Sequence, residues 1–153
     1  MPRPIFKIAA TFFLLALGVS GCRGVQPGDF VGTWVLSDES RKLLPADFRQ
    51  ASGRVVVSAD GTFVAEDLPE QLPPVFPDVN SQVRLDSGGG KWKLAAWEGA
   101  EHLQLEFRNG TFSKGESHET YGFPLTVSRG WSSITLSYAL GDPDQGVLEL
   151  EKK

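Results

Sequence analysis

From residue 30 to its C-terminus the chain alternates apolar and polar side chains at period two, and few folds accept that pattern. A β-strand turns successive side chains to opposite faces, so alternation marks a sheet with one buried and one solvated side. Phe30, Gly32, Trp34 and Leu36 share one face of the segment Phe30–Ser37. The rhythm returns in Arg54–Ala59, Thr62–Glu66 and Lys91–Trp97. It continues in His102–Arg108 with Leu103, Leu105 and Phe107 inward, and in Glu119–Ser128 with Tyr121, Phe123, Leu125 and Val127 inward. Ser132–Leu140, with Ile134, Leu136 and Tyr138 inward, and Val147–Glu151 complete the series. Turn formers separate these runs at Asp60-Gly61, Glu98-Gly99, Asn109-Gly110, Arg129-Gly130 and Gly141–Gly146. Asp60-Gly61 predicts a two-residue type I′ hairpin, whose positions both need positive φ. The spacing predicts an all-β fold, an antiparallel meander of about eight strands closing into a small barrel. A chain of 153 residues, 41% hydrophobic, supplies one such domain, and its 17 Gly and 10 Pro suit short strands and turns.

Two connections break the meander. In residues 38–52, Leu43, Leu44 and Phe48 stand near helical spacing while Pro45 limits any helix to a turn or two, which predicts a short helical cap over one barrel end. Residues 67–90 carry Pro69, Pro73, Pro74 and Pro77 among apolar residues, so the segment is not expected to be a central strand. Its Leu68, Leu72, Val75 and Phe76 either fold down to close the barrel or form a portal or partner-docking patch. Closing the barrel is the plainer reading, and the second role draws on the prolines, which lower the entropy lost when a loop orders against a partner.

The N-terminal segment follows different rules. Arg3 and Lys7 precede the apolar run Ile8–Val19, which is too short to span a bilayer and reads as an export signal. The residues Val19-Ser20-Gly21-Cys22 then match the lipobox of bacterial lipoproteins. That resemblance implies diacylglycerol on Cys22, cleavage between Gly21 and Cys22, and an acyl chain such as palmitate on the new amino group. Cys22 is the only cysteine, so lipidation also accounts for an otherwise unpaired exported thiol. The expected organisation is a signal peptide at 1–21, a lipidated cysteine and linker at 22–28, and a barrel domain at 29–153. Fully extended, the linker reaches only about 20 Å, which keeps the domain near the lipid headgroups. Arg23, rather than Asp, after the cysteine favours the periplasmic side of the outer membrane if the source is Gram-negative. The formal charge of −4 becomes two units more negative once Arg3 and Lys7 are removed, which argues against a nucleic-acid partner.

Within the domain, Gly32-Thr33-Trp34 resembles the Gly-x-Trp of the first strand in lipocalin-like, or calycin, proteins. Ala59-Asp-Gly-Thr-Phe63, Gly90-Lys-Trp92 and Gly141–Gly146 are similar to small bacterial lipocalin-like lipoproteins, and the likeness covers residues 30–153. The resemblance implies a Trp lying across one closed barrel end with an Arg from a late strand against it; Arg129 and Lys152 are the nearest candidates. Trp34, Phe63, Trp92, Tyr121 and Tyr138, with Phe107 and Phe123, are placed to line a pocket for an apolar ligand or to fill a core.

Catalytic readings fail on chemistry. Neither Gly-x-Ser-x-Gly nor Ser-x-x-Lys occurs. His102 and His118 are too far apart for a local zinc motif and read as solvated side chains. Gly88-Gly89-Gly90-Lys91 has Leu85 where a phosphate loop needs glycine and Trp92 where it needs Ser or Thr, and so reads as a turn. Asp142-Pro-Asp144-Gln-Gly146 lacks the remaining acidic positions of a calcium loop and is likewise a turn. No enzyme, metal or cofactor is expected. The expected function is a membrane-anchored binding module for a small apolar ligand or an envelope protein, the alternative being a structural or inhibitory interaction module with a solid core.

Overall fold

Each alternating run becomes a strand, and the apolar half of each run meets the others in one interior. The computed structural model describes residues 24–71, 83–110, 121–140 and 146–153. Its strands are β1 (Gly32–Leu36), β2 (Arg54–Val57), β3 (Thr62–Gln71), β4 (Val83–Trp97), β5 (Ala100–Gly110), β6 (Tyr121–Arg129), β7 (Ile134–Ala139) and β8 (Val147–Lys152). They pair antiparallel in chain order, and β1 pairs with β8 through Trp34↔Lys152 and Leu36↔Leu150, closing the barrel. Closure removes the unpaired sheet edges that would otherwise invite association. Trp34, Leu36, Val55, Val57, Phe63, Ala65, Leu103, Leu105, Phe107, Leu125, Leu136, Leu148 and Leu150 are all buried in the core. Each large apolar side chain placed there contributes about 1.5–3 kcal/mol of transfer free energy.

The helical cap forms as the leucine spacing predicts. Helix α1 (Pro27–Phe30) precedes β1, and helix α2 (Asp38–Leu43) with a 3-10 turn at Ala46–Phe48 joins β1 to β2. Ser37 caps α2, its hydroxyl accepting from the Ser40 N–H at 3.1 Å. Leu44 is buried while Leu43 is exposed, so the cap inserts one leucine only.

Three local expectations are corrected. Residues 67–71 and 83–90 are strand, despite the prolines: Pro69 pairs with Leu85 and Gln71 with Val83. A bulge between Ala65 and Leu68, with Asp67 at φ 51°, carries β3 past its last partner on β2. Beyond Glu66 the strand runs with β4 alone, a setting where a missing backbone donor is tolerated. Gly88–Gly90 is not a turn; the three glycines lie inside β4, each paired with both neighbours. A Cβ on Gly90 would stand 1.9 Å from the Glu106 carbonyl oxygen, so only glycine permits this close crossing at the Gly89/Gly90 bulge. At Asp60-Gly61 only the glycine has positive φ, at 83°, and the Gly61 N–H donates to the Ser58 carbonyl. The loop is therefore a type I turn closed by a glycine rather than type I′. The turn with two positive φ values falls instead at Glu98-Gly99, between the paired Trp97 and Ala100.

The hairpin order gives the barrel two unlike ends. At one lie α1, the C-terminus and the short turns at residues 58–61, 98–99 and 130–133. At the other lie α2 and the strand ends Gln71, Val83, Gly110, Tyr121, Ala139 and Val147.

Candidate functional site

At the short-turn end, Trp34 is fully buried and its indole N–H donates to the Phe30 carbonyl at 2.7 Å. The Phe30 ring lies against it, with centroids 6.4 Å apart. From β8, Lys152 reaches over the indole, its Nζ 5.7 Å from the ring centroid, and donates to the Asp29 carbonyl at 2.9 Å. A cation over an indole face is attracted by the ring quadrupole. A Cβ on Gly32 would come within 2.8 Å of the Lys152 stem, so Gly32, at φ 139°, gives the lysine its passage. Of the two basic candidates it is Lys152 that covers Trp34, while Arg129 is directed toward the Asp29 carboxylate at 3.8 Å. Trp92 is fixed at the same end, its ring N–H donating to the Ser58 carbonyl at 2.9 Å. Outside this end an open groove of about 850 Å³ runs between α1 and the 130–133 turn, past Asp29, Arg129, Trp131, Ser133 and Lys152. Trp131 projects fully into solvent.

Inside the barrel the aromatics form a chain of edge-to-face contacts. Phe63 meets Phe107 at 4.8 Å, Phe107 meets Phe123 at 6.5 Å, and Phe123 meets Tyr138 at 4.9 Å. Toward the α2 end the interior turns polar. The bulge sets Leu68 opposite Asp86 and Glu70 opposite Arg84 on β3 and β4. Arg84 Nε donates to Asp86 Oδ2 at 2.7 Å, and Arg84 Nη2 to Glu70 Oε2 at 2.8 Å. Asp86 is 1% exposed, and its second oxygen, Oδ1, has no hydrogen-bond partner among the described residues. The Tyr138 hydroxyl, on a side chain 7% exposed, also has none there. Burial pushes the Tyr138 phenol far above its ordinary range, and the charge of Glu70 raises it further. The phenol is therefore neutral at any physiological pH and serves as a hydrogen-bond donor or acceptor.

The structure thus separates the residues expected to line one pocket. Trp34 and Trp92 belong to the closed end, Phe63 to the middle of the core, and Tyr138 to the polar layer at the other end. Tyr121 pairs with Phe107, and its side chain is not among those described. Leu68 is fully buried and takes no part in an exposed patch, because the bulge turns it into the core. Leu72, Val75, Phe76, Gly21, Cys22 and His118 lie outside the described residues. His102 is not the solvated side chain expected: it is buried under Trp97, the rings parallel and 3.6 Å apart. Sequence reasoning passed over Glu70, Arg84 and Asp86: the β3 bulge sets the phase of Glu70, and Arg84 and Asp86 come inward because β4 runs on as strand to Val83. Among the described residues no cluster of His, Cys, Asp and Glu suits a metal ion, and no helix is long and apolar enough to cross a membrane.

The chain matches no family model, no curated protein and no solved structure. Its chemistry has to be read from its own residues.

Proposed function

We propose that this chain is a lipid-anchored extracytoplasmic lipoprotein whose lipocalin-like barrel binds a small apolar ligand or an envelope partner. The observation that carries this reading is the polarity of the barrel. Residue 24, which follows the proposed lipidation site by two positions, leads into α1 at the end closed by Trp34 and Lys152. The polar interior, where Asp86 Oδ1 and the Tyr138 hydroxyl have no hydrogen-bond partner among the described residues, faces the opposite end. A tether at one end and a binding layer at the other suit a module that captures ligands while held at a surface. Two or three acyl chains, at about 0.8 kcal/mol per buried CH₂, make such a tether effectively permanent.

A second reading, a structural or inhibitory module with a solid core, draws support from the close edge-to-face packing of Phe63, Phe107, Phe123 and Tyr138. Two measurements separate the possibilities. Cys22→Ser is expected to abolish membrane fractionation and leave an uncleaved or mis-cleaved precursor, and mass spectrometry of the wild-type chain is expected to find the lipid. A soluble, unmodified mature chain refutes the anchor. Titration with the fluorescent apolar probe N-phenyl-1-naphthylamine is expected to saturate at one site per chain; no uptake favours the solid module.

A further inference from the structure

We propose that the inward-facing layer of Glu70, Arg84, Asp86 and Tyr138 is the head-group site for a small amphipathic amine, held by its ammonium. The proposal rests on the small-ligand reading and names the chemistry of that ligand.

A carboxylate oxygen stripped of water and left without a donor is costly, as is a buried hydroxyl. Here both occur in one barrel end: Asp86 Oδ1 and the Tyr138 hydroxyl, on side chains more than nine-tenths buried. Asp86 is already held by Arg84 through its other oxygen, so the carboxylate is oriented and its remaining lone pairs are fixed in direction. Arg84 also binds Glu70 across the β3–β4 pair, which keeps the guanidinium in place. Among the described residues, what Asp86 Oδ1 lacks is a donor. An ammonium brings three N–H donors and no acceptor, and its hydrogen bond to a carboxylate is about twice as strong as a neutral one. A carboxylate or phosphate head group would meet Asp86 and Glu70 with like charge and offer nothing to Asp86 Oδ1. A hydroxyl donates one hydrogen bond and adds no positive charge to a layer in which the two carboxylates of Glu70 and Asp86 share the guanidinium of Arg84.

The apolar part of the ligand is set by what adjoins the layer. Tyr138 continues into the Phe123 ring at 4.9 Å and from there to Phe107. An ammonium that also donates to the Tyr138 hydroxyl sits beside these aromatic rings, which favour cations as well as hydrocarbon. The fitting ligand class is a primary amine on a short aliphatic or aryl body.

The test uses calorimetric titration of the intact lipidated chain with three soluble probes of similar shape: 2-phenylethylammonium, 2-phenylethanol and 3-phenylpropanoate. The ammonium is expected to bind at least tenfold more tightly than the alcohol, and the carboxylate not to bind. Asp86→Asn, which keeps an oxygen for Arg84, is expected to weaken ammonium binding at least tenfold while the alcohol is unaffected. Tyr138→Phe separates site from scaffold. It is expected to weaken the ammonium several-fold and yet leave the melting temperature of the free protein unchanged or higher, since it deletes an orphaned hydroxyl. Should Asp86→Asn fail to fold, Tyr138→Phe carries the test alone. Equal affinity for the three probes, or preference for the carboxylate, overturns the ammonium chemistry and leaves the small-ligand reading standing. Failure of all three together with the apolar naphthylamine overturns both.

Discussion

Trp34 shows how much one side chain determines here. It is buried on every side, its one polar atom is bonded to Phe30, and Lys152 lies over its face. Trp34→Ala is expected to cost about 3–5 kcal/mol, the range for a large core aromatic, enough to unfold a domain of ordinary stability. Urea denaturation measures it, and an unchanged midpoint refutes the closed-end packing. Tyr138 makes a different prediction, one of pH. The unfolded chain releases the phenol proton near pH 10, whereas the folded protein retains it well beyond. Above pH 10 the unfolded state binds fewer protons, so stability is level below that pH and falls above it, by about 1.4 kcal/mol per pH unit for this group. In Tyr138→Phe that part of the alkaline loss is expected to vanish from chemical denaturation curves taken between pH 9 and 11. An identical slope in both proteins would place the phenol in contact with water.

Among the elements, β4 carries the strongest constraint. Its three glycines let β4 pass within bonding range of β3 and β5 at once while bending through a bulge. The Glu106 carbonyl stands where a Gly90 side chain would be, and backbone cannot step aside as a flexible side chain does. Gly90→Val is expected to prevent closure of the barrel, seen as loss of the cooperative thermal transition. Gly61→Val, at a turn with open space around it, meets only the strain of its positive φ and is expected to fold. Helix α2 is held differently, through a serine relay. The Ser40 hydroxyl accepts from the Glu149 N–H at 2.8 Å and from the Ser37 hydroxyl at 2.9 Å, tying the cap to β8. Ser40→Ala leaves that part-buried N–H unpaired, and a loss of about 1–3 kcal/mol is expected in denaturant melts.

For the whole molecule, the consequence is orientation. Helix α1, the last residues of β8 and the exposed Trp131 share one end, and Arg129, Lys152 and Lys153 lie near them. Tryptophan with basic neighbours is the composition favoured at a membrane–water boundary. On the proposed lipid anchor, Trp131 is expected to rest among headgroups. In vesicles containing brominated lipid the anchored protein is expected to show quenched tryptophan fluorescence, and Trp131→Ala to lose most of that quenching without leaving the membrane. Quenching unchanged by the substitution would turn this end away from the bilayer.

The sequence by itself determined the class of fold. Period-two alternation with regular turn signals leaves one buried face per strand, and eight such strands have a closed barrel as their economical solution. It also placed the helical cap, through the leucine spacing and Pro45, and the glycine before Trp34. Phase and closure it did not determine. The bulge after Ala65 shifts the parity of β3 and turns Leu68 and Glu70 to the inner face, where they meet Asp86 and Arg84 of β4, so that an apparent proline-rich connection becomes barrel wall. Nothing local signals that shift, since a one-residue slip exchanges the two faces of a strand and only packing against β4 selects between them. The glycine run was ambiguous for the same reason: a turn and a close strand crossing ask for the same absence of a side chain, and the partner strands decide which is built. His102 is buried only because Trp97, across the Glu98-Gly99 turn, folds over it. The polar layer on which the ligand proposal rests is likewise tertiary, because a charged residue reads as solvated surface until the strands around it close.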